Sequence, residues 1–350
     1  MIVTVAICTL NRAESLRRTL GSLAAMRLPD GLNWEVVIVD NGCTDHTDAV
    51  IADFADSLPI RREFEPQRGL SRARNRAIDS AQGDYIIWTD DDVIVDPLWL
   101  AAYIEAFRRW PGAAVFGGPI IPRYAPPAPS WLIQGEHHLR DMLSFRDFGD
   151  TDLALSIAEK RLPFGPSFAV RSAEQRIHRY KTNLGHGPNQ RRRGEETDVV
   201  ERILKAGATG YWVPRARVQH CFNRDQQTIK YIWSFYVSLG ETDAFQNGFP
   251  VEHGPLWFGA PRWLWRRLTE QWLRYRVHRV ISPANGWLPH LKASAFVWGT
   301  IRYWRNEHGR RDRSAIPLCQ PRQPAAAGRR SEICGSAPGP NSDEKKRKLT

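Results

Sequence analysis

Residues 83–97 read "GDYIIWTDDDVIVDP", a run of bulky apolar residues that breaks into three consecutive aspartates. The run "DYIIWT" (84–89) is short and rich in β-branched and aromatic residues, as buried strands are. Two carboxylates about 4 Å apart repel by roughly 4 kcal/mol at an effective dielectric of about 20. A strand end holds three of them cheaply only where a cation or solvent screens the charge. In parallel sheets ligands bind beyond the carboxyl ends of the strands, so the fold turns on whether this strand lies in such a sheet.

The preceding chain supplies the sheet. "IVTVAIC" (2–8), "WEVVIVD" (34–40) and "IRREFE" (60–65) also read as strands, and residues 12–25, 45–56 and 69–81 carry apolar residues at helical spacing, Leu70, Ala73, Ala77 and Ala81 among them. Strand alternating with helix predicts right-handed crossovers and an α/β fold, a mostly parallel central sheet flanked by helices. Its strand ends gather Thr9 and Asn11, Asp40 and Asn41, and the Asp90–Asp92 triplet along one edge, where a cleft is expected. Asp90 and Asp92, two apart, share a side and suit a divalent ion and a ribose hydroxyl. Oxygen ligation by few protein groups fits Mg²⁺ or Mn²⁺, with substrate phosphates completing the shell. Asp91 points away and has no assigned task.

Beyond the triplet the reading is a helix over 97–109, a strand over 113–118 and an irregular proline-rich connection, "PIIPRYAPPAPSW" (119–131). A strand over 164–172, a polar loop over 184–194, a helix opening on "EETDVVERILKAG" and a strand over 209–220 ending in His220 follow. This places a catalytic domain at 1–224. Residues 225–305 form a helical extension rich in tryptophan and arginine, and residues 306–350, with Pro, Gly, Ala and charge but no periodicity, read as a disordered tail. Arg68, Arg72 and Arg76 recur every four residues as a solvated helix face. Trp88 reads as core, and Trp131 as a platform for stacking on a sugar.

The 350 residues are 42% apolar and 25% charged, a globular composition, with a net charge of +11. Much of the excess sits in "PRWLWRRLTEQWLRYRVHR" (261–279) and "EKKRKLT" (344–350), so it describes where the protein rests more than what it transforms. An anionic membrane surface is the expected contact, and no nucleic acid is expected. Five scattered cysteines with no C-x-x-C argue against a disulfide framework and a zinc site. With no secretory leader and no apolar run near the roughly 20 residues of a membrane span, the expected location is cytoplasmic, peripheral at the inner face of the membrane.

Four segments, "VAICTLNR", "VVIVDNGCTDHT", "GLSRARNRAIDSAQGDYIIWTDDD" and "GEETDVVERILKAG", in that order and spacing, resemble the family 2 glycosyltransferases of GT-A fold, over about residues 1–225. The resemblance implies an inverting enzyme that moves a sugar from a nucleotide-diphosphate sugar, UDP-sugar favoured, to a glycan or lipid-linked acceptor in polysaccharide or glycolipid assembly, with a divalent metal. By the same resemblance Thr9, Asn11, Asp40, Arg74, Asn75 and Asp90 touch the nucleotide sugar, Asp92 and His220 hold the metal, and Glu196 is the catalytic base with Glu195 in reserve. The chemistry agrees with these types: a base takes the acceptor proton, and positive charge meets the departing diphosphate. The competing readings are a nucleotidyltransferase, against which "CTLNRAES" lacks a glycine-rich phosphate loop, and a non-catalytic protein binding membrane or nucleic acid through its basic Trp-rich segment.

Overall fold

The computed structural model describes residues 1–188, 190–248, 255–282 and 285–314. The chain opens with β1 (Ile2–Thr9), α1 (Ala13–Ala24), β2 (Asn33–Asp40), α2 (Thr47–Asp53), β3 (Ile60–Phe64), α3 (Leu70–Ser80) and β4 (Tyr85–Trp88). β1 pairs in parallel with β2 and β4, and β2 with β3. Alternate residues of these strands enter opposite cores: Val3, Val5, Ile7, Ile38 and Ile87 pack under α1, while Ala6, Val37, Val39, Ile86 and Trp88 pack under Ala73, Ala77 and Ile78 of α3. Burial on both faces is why these strands read as nearly continuous apolar runs.

The chain continues through β5 (Val93–Val95), α4 (Trp99–Arg109), β6 (Val115–Gly117), β7 (Ile120–Tyr124), α5 (Ser130–Gln134), β8 (Phe168–Arg171) and α6 (Ser172–Ile177). A short hairpin of β9 (His186–Gly187) and β10 (Gln190–Arg191) precedes α7 (Glu195–Lys205), β11 (Gly210–Trp212) and β12 (Val218–Phe222). The main sheet has seven strands in the order β11-β6-β8-β4-β1-β2-β3, with β8 antiparallel to both its neighbours and every other pair parallel.

Two expectations change here. The single strand over 209–220 is two strands in different sheets. Pro214 lacks the N–H a ladder needs, Ala216 N closes a turn onto Val213 O at 3.0 Å, and β12 leaves to join a second sheet ordered β5-β12-β7. The proline-rich connection is not wholly irregular either, since β7 runs through Pro122. It lies on the edge of the small sheet, where a missing N–H costs no ladder bond.

Three helices follow, α8 (Ile229–Asn247), α9 (Arg262–Ile281) and α10 (Leu288–Ser314). α8 and α10 cross with their backbones in contact: a Cβ on Gly240 would stand 2.0 Å from Phe296 O, and one on Gly299 2.0 Å from Val237 O. Only glycine fits at either position. Phe222, Ile232, Phe235, Leu288 and Leu291 share a core with Leu139, Met142 and Leu143 of the long segment before β8, so this extension is bolted to the sheet domain rather than strung after it. Trp131 packs against Trp287 in that core, ring centroids 5.6 Å apart, instead of offering a free sugar platform. α10 runs past the boundary expected at 305, and the rest of the expected tail, 315–350, lies outside the described residues. Among the described residues no helix is long and apolar enough to cross a membrane.

Candidate active site

After β4 the chain turns through Asp90–Asp92 into β5, which pairs antiparallel with β12 so that Val93 faces His220. Cys221 N donates to Asp92 O at 2.8 Å and carries the ladder up to the last aspartate. Strand pairing therefore brings a histidine some 130 residues away in sequence to the triplet. Asp90, Asp92 and His220 each offer a ligand atom, all within 4.8 Å of one another. His220 Nε2 stands 3.2 Å from Asp92 Oδ1, and its Nδ1 faces Leu143 O at 3.4 Å, an outer contact that fixes the ring. Asp92 Oδ1 is buried and meets only the His220 imidazole, as an ion-pair contact short of a well-aligned hydrogen bond. A buried carboxylate oxygen so placed, beside a second carboxylate and an imidazole, fits a divalent ion of the Mg²⁺ or Mn²⁺ class.

Arg12 offsets part of the acid charge. Its Nη1 lies 2.8 Å from Asp91 Oδ1 and 2.7 Å from Asp92 Oδ2, while Thr9 Oγ1 donates to Asp91 Oδ2 at 2.8 Å. Asp91 thus ties the end of β1 to the end of β4, a task its sequence position does not reveal. Burial pushes the Asp91 carboxyl up to about 6 despite Arg12. Burial also opposes the charge of Asp92, but His220 and Arg12 outweigh it and hold that carboxyl well below the usual range.

Arg74 lies on the buried face of α3, beside Ala73 and Ala77. Its Nη1 is 3.0 Å from Glu195 Oε1 and 3.6 Å from Glu196 Oε2, and its Nη2 is 3.6 Å from Asp90 Oδ1. A buried cation persists where carboxylates surround it in this way. The two glutamates open α7, where the helix dipole favours acids, after Gly194 turns the chain at φ 81°. Burial and repulsion from Glu196 push the Glu195 carboxyl up to about 8 against the pull of Arg74.

These groups border one cleft of about 720 Å³. Thr9, Asn41, Arg68 and the aspartates line it on the side of the strand ends, and Tyr231, Ser234, Phe235 and Ser238 of α8 line it opposite. Cys8 also reaches it, but burial pushes its thiol up to about 12, so it stays protonated and is no nucleophile.

Of the residues singled out in the sequence, Thr9, Arg74, Asp90, Asp92, Glu195, Glu196 and His220 meet at the cleft. Asn11, Asp40 and Asn75 do not line it. Asn11, at φ 53°, accepts from Thr44 N at 2.7 Å and joins two loops at the rim. Asp40 is 2% exposed, caps Gly42 N and Cys43 N with one oxygen and meets Arg62 at 2.6 Å with the other. Asn75 clamps Tyr180 through both its amide atoms, donating to Tyr180 O and accepting from Tyr180 N. Asn41, next to Asp40, borders the cleft but is 4% exposed, its amide donating to Glu65 O and Gln67 O and accepting from Gly69 N. Arg12, Arg68, Gly165 and the α8 residues are additions. Arg12 was legible in principle, since three acids at one strand end call for a cation at the next, and Arg68 leaves the solvated face to line the cleft; the α8 contacts follow only from the packing of helices onto the sheet.

Residues 4–157 match the family described as Glycosyl transferase family 2. The succinoglycan biosynthesis protein ExoM of Rhizobium meliloti is 28% identical over 244 residues, 69% of this chain and 73% of that protein. The glucosyl-dolichyl phosphate glucuronosyltransferase of Haloferax volcanii is 26% identical over 225 residues, 63% of this chain and 69% of that protein. Among solved structures, the mannosyltransferase PcManGT from Pyrobaculum calidifontis, in complex with GDP-Man and Mn²⁺, superposes with a TM-score of 0.57 over 87% of each chain at 16% identity, a likeness of fold. With that fold and an acid-lined cleft at the strand ends, the chain has the GT-A architecture and is similar to the family 2 glycosyltransferases over residues 4–157.

Proposed function

We propose that the protein transfers a sugar from a nucleotide-diphosphate sugar to an acceptor hydroxyl with inversion at the anomeric carbon, in the assembly of a polysaccharide or glycolipid. One observation carries this reading. A Cβ on Gly165 would lie 3.1 Å from Arg74 Nη2, 3.4 Å from Glu196 Oε1 and 3.7 Å from Asp90 Oδ2. A residue without a side chain therefore keeps open the gap that separates the acid at the metal end from the candidate base, the space a reacting sugar carbon needs. The names of the two relatives, one from succinoglycan biosynthesis and one a glucuronosyltransferase of a lipid-linked glucose, support the setting.

Asp90, Asp92 and His220 are the residues that would hold a Mg²⁺ or Mn²⁺, which supplies positive charge to the departing diphosphate. Arg68, exposed at the cleft beside Gly42 O, would meet the nucleotide, and a UDP-sugar is the first donor to assay. Glu196 accepts the proton of the acceptor hydroxyl as its oxygen bonds to the anomeric carbon. The bond from that carbon to the diphosphate oxygen breaks, with its electron pair leaving on the diphosphate. Attack from the base side, opposite the leaving group, inverts the centre. Burial pushes the Glu195 carboxyl up to about 8, which disfavours it as the base at neutral pH. The family match favours this over nucleotidyl transfer.

α9 supports a membrane-surface location. Leu264, Gln271 and Tyr275 face inward, whereas Leu273, Val277, Val280 and Ile281, at positions i, i+4, i+7 and i+8, form an outer stripe with Val280 85% and Ile281 71% exposed. The helix carries six arginines and one glutamate. An exposed apolar stripe flanked by arginine complements an anionic bilayer surface.

Three outcomes follow from these assignments. Glu196→Gln should lower the transfer rate about 10²- to 10⁴-fold with donor affinity unchanged in calorimetry; full activity would move the base to Glu195. Because the Glu195 carboxyl titrates at about 8 folded against 4.5 ordinarily, its contribution to stability is full below the lower value and is lost as pH rises through the higher. Chemical denaturation of Glu195→Gln should then fall less steeply across that window than the parent, and parallel curves would contradict the assignment. Vesicles containing phosphatidylglycerol should co-sediment the protein, neutral phosphatidylcholine vesicles should not, and Val277→Glu should weaken the binding. Equal pelleting with both lipids, or a stable dimer in sedimentation that Val277→Glu dissolves, would overturn the membrane contact.

A further inference from the structure

Of the four arginines that line the cleft, one carries a charge the transfer chemistry does not use. Arg12 is committed to Asp91 and Asp92, and Arg74 to Asp90, Glu195 and Glu196. Arg68 sits at the donor end, with Nη2 3.3 Å from Gly42 O. Arg193 lies at the opposite end, immediately before the Gly194 turn and the two glutamates. Among the described residues no carboxylate comes within 4.0 Å of it, and its Nε is buried with no hydrogen-bond partner. Burial lowers its proton affinity, opposed by Tyr231, Glu195 and Glu196 and by a side-chain hydrogen bond with Tyr231.

Its position is built rather than incidental. Arg193 N donates to Thr242 Oγ1 at 2.9 Å, and that hydroxyl donates to Ser238 O at 2.8 Å, so the loop is stitched to α8. The guanidinium lies over the Phe235 ring, 4.1 Å from its centroid. Tyr231, Ser234, Phe235 and Ser238, at i, i+3, i+4 and i+7, present one face of α8 to the cleft around it. Two hydroxyl-bearing side chains at half-buried positions and a desolvated guanidinium held over an aromatic ring are what a sugar bearing a negative charge requires: partners for its hydroxyls and a fork for its anion.

We propose that Arg193, Tyr231, Ser234 and Phe235 form the acceptor subsite, and that the acceptor carries an anionic group, a carboxylate or a phosphate, close to the hydroxyl that attacks. The inference rests on the donor-end reading given above, because the two ends share Glu196. The anion on Arg193 would orient the acceptor so that its hydroxyl reaches that glutamate. It would also discriminate, since a neutral sugar leaves a buried guanidinium without its counter-charge.

The test is binding of methyl β-D-glucuronide, glucose 1-phosphate and methyl β-D-glucoside, followed by saturation-transfer NMR and calorimetry, with UDP and Mn²⁺ saturating the donor end and again without them. The expected result is that one or both charged sugars bind about tenfold or more tightly than the glucoside. That advantage should vanish in Arg193→Gln and persist in part in Arg193→Lys. Ser234→Leu should weaken all sugars by crowding while leaving the charge. The glucuronide and the phosphate, compared with each other, separate a uronic-acid acceptor from a phosphorylated one. Equal binding of all three sugars to the parent, or a charge preference that survives Arg193→Gln, would overturn the subsite. Failure of UDP to bind would instead count against the donor reading, and the arm without UDP keeps the two failures apart.

Discussion

A guanidinium buried among carboxylates from separate elements organises this protein. Arg74 comes from α3, Asp90 from the turn after β4, and Glu195 and Glu196 from the first turn of α7. Removing such a cation leaves buried like charges facing one another, a loss on the order of 3–5 kcal/mol. The scaffold protects it: Ala73 and Ala77 seat α3 on the sheet, and Asn75 clamps Tyr180, whose ring lies 5.3 Å from the Arg74 guanidinium. A side chain that does not line the cleft thereby steadies the one that orders its charges.

Arg12 performs the corresponding task at the other side of the triplet, through Asp91 and Asp92 Oδ2, while Asp92 Oδ1 turns to His220. Asp90, Asp91, Asp92 and Glu196 exceed what Arg12 and Arg74 neutralise, even with the Glu195 proton counted. The residual negative charge lies where Asp90, Asp92 and His220 converge. A divalent cation held there would relieve it and would supply positive charge to a diphosphate. The acid cluster at the strand end is therefore stable enough to fold and unsatisfied enough to bind.

The parallel half of the sheet was legible because both of its faces are buried, so its strands carry apolar runs between helices of clear period. The acids were legible because they stand at strand ends. Three features were hidden for specific physical reasons. At the end of β2, Asp40 and Asn41 are both buried and tied to loop backbone, a use of their side chains that a strand-end position does not reveal. β7 passes through Pro122 inside a stretch that reads as irregular, and Pro214 divides what reads as one strand over 209–220; an edge position and a change of sheet account for the two. The α8 wall depends on the approach of α8 to α10 at Gly240 and Gly299 and on a core shared with residues 139–143, contacts far apart along the chain.

The central claim is that the triplet and His220 create a divalent-metal site coupled to a nucleotide diphosphate. Electron paramagnetic resonance of Mn²⁺ titrated into the protein, with and without UDP, tests it most directly. The account predicts that UDP and the parent protein together deplete the free Mn²⁺ signal well beyond what UDP alone achieves, and that Asp92→Asn and His220→Ala abolish the excess. An excess unchanged in both variants, or none in the parent, would contradict it.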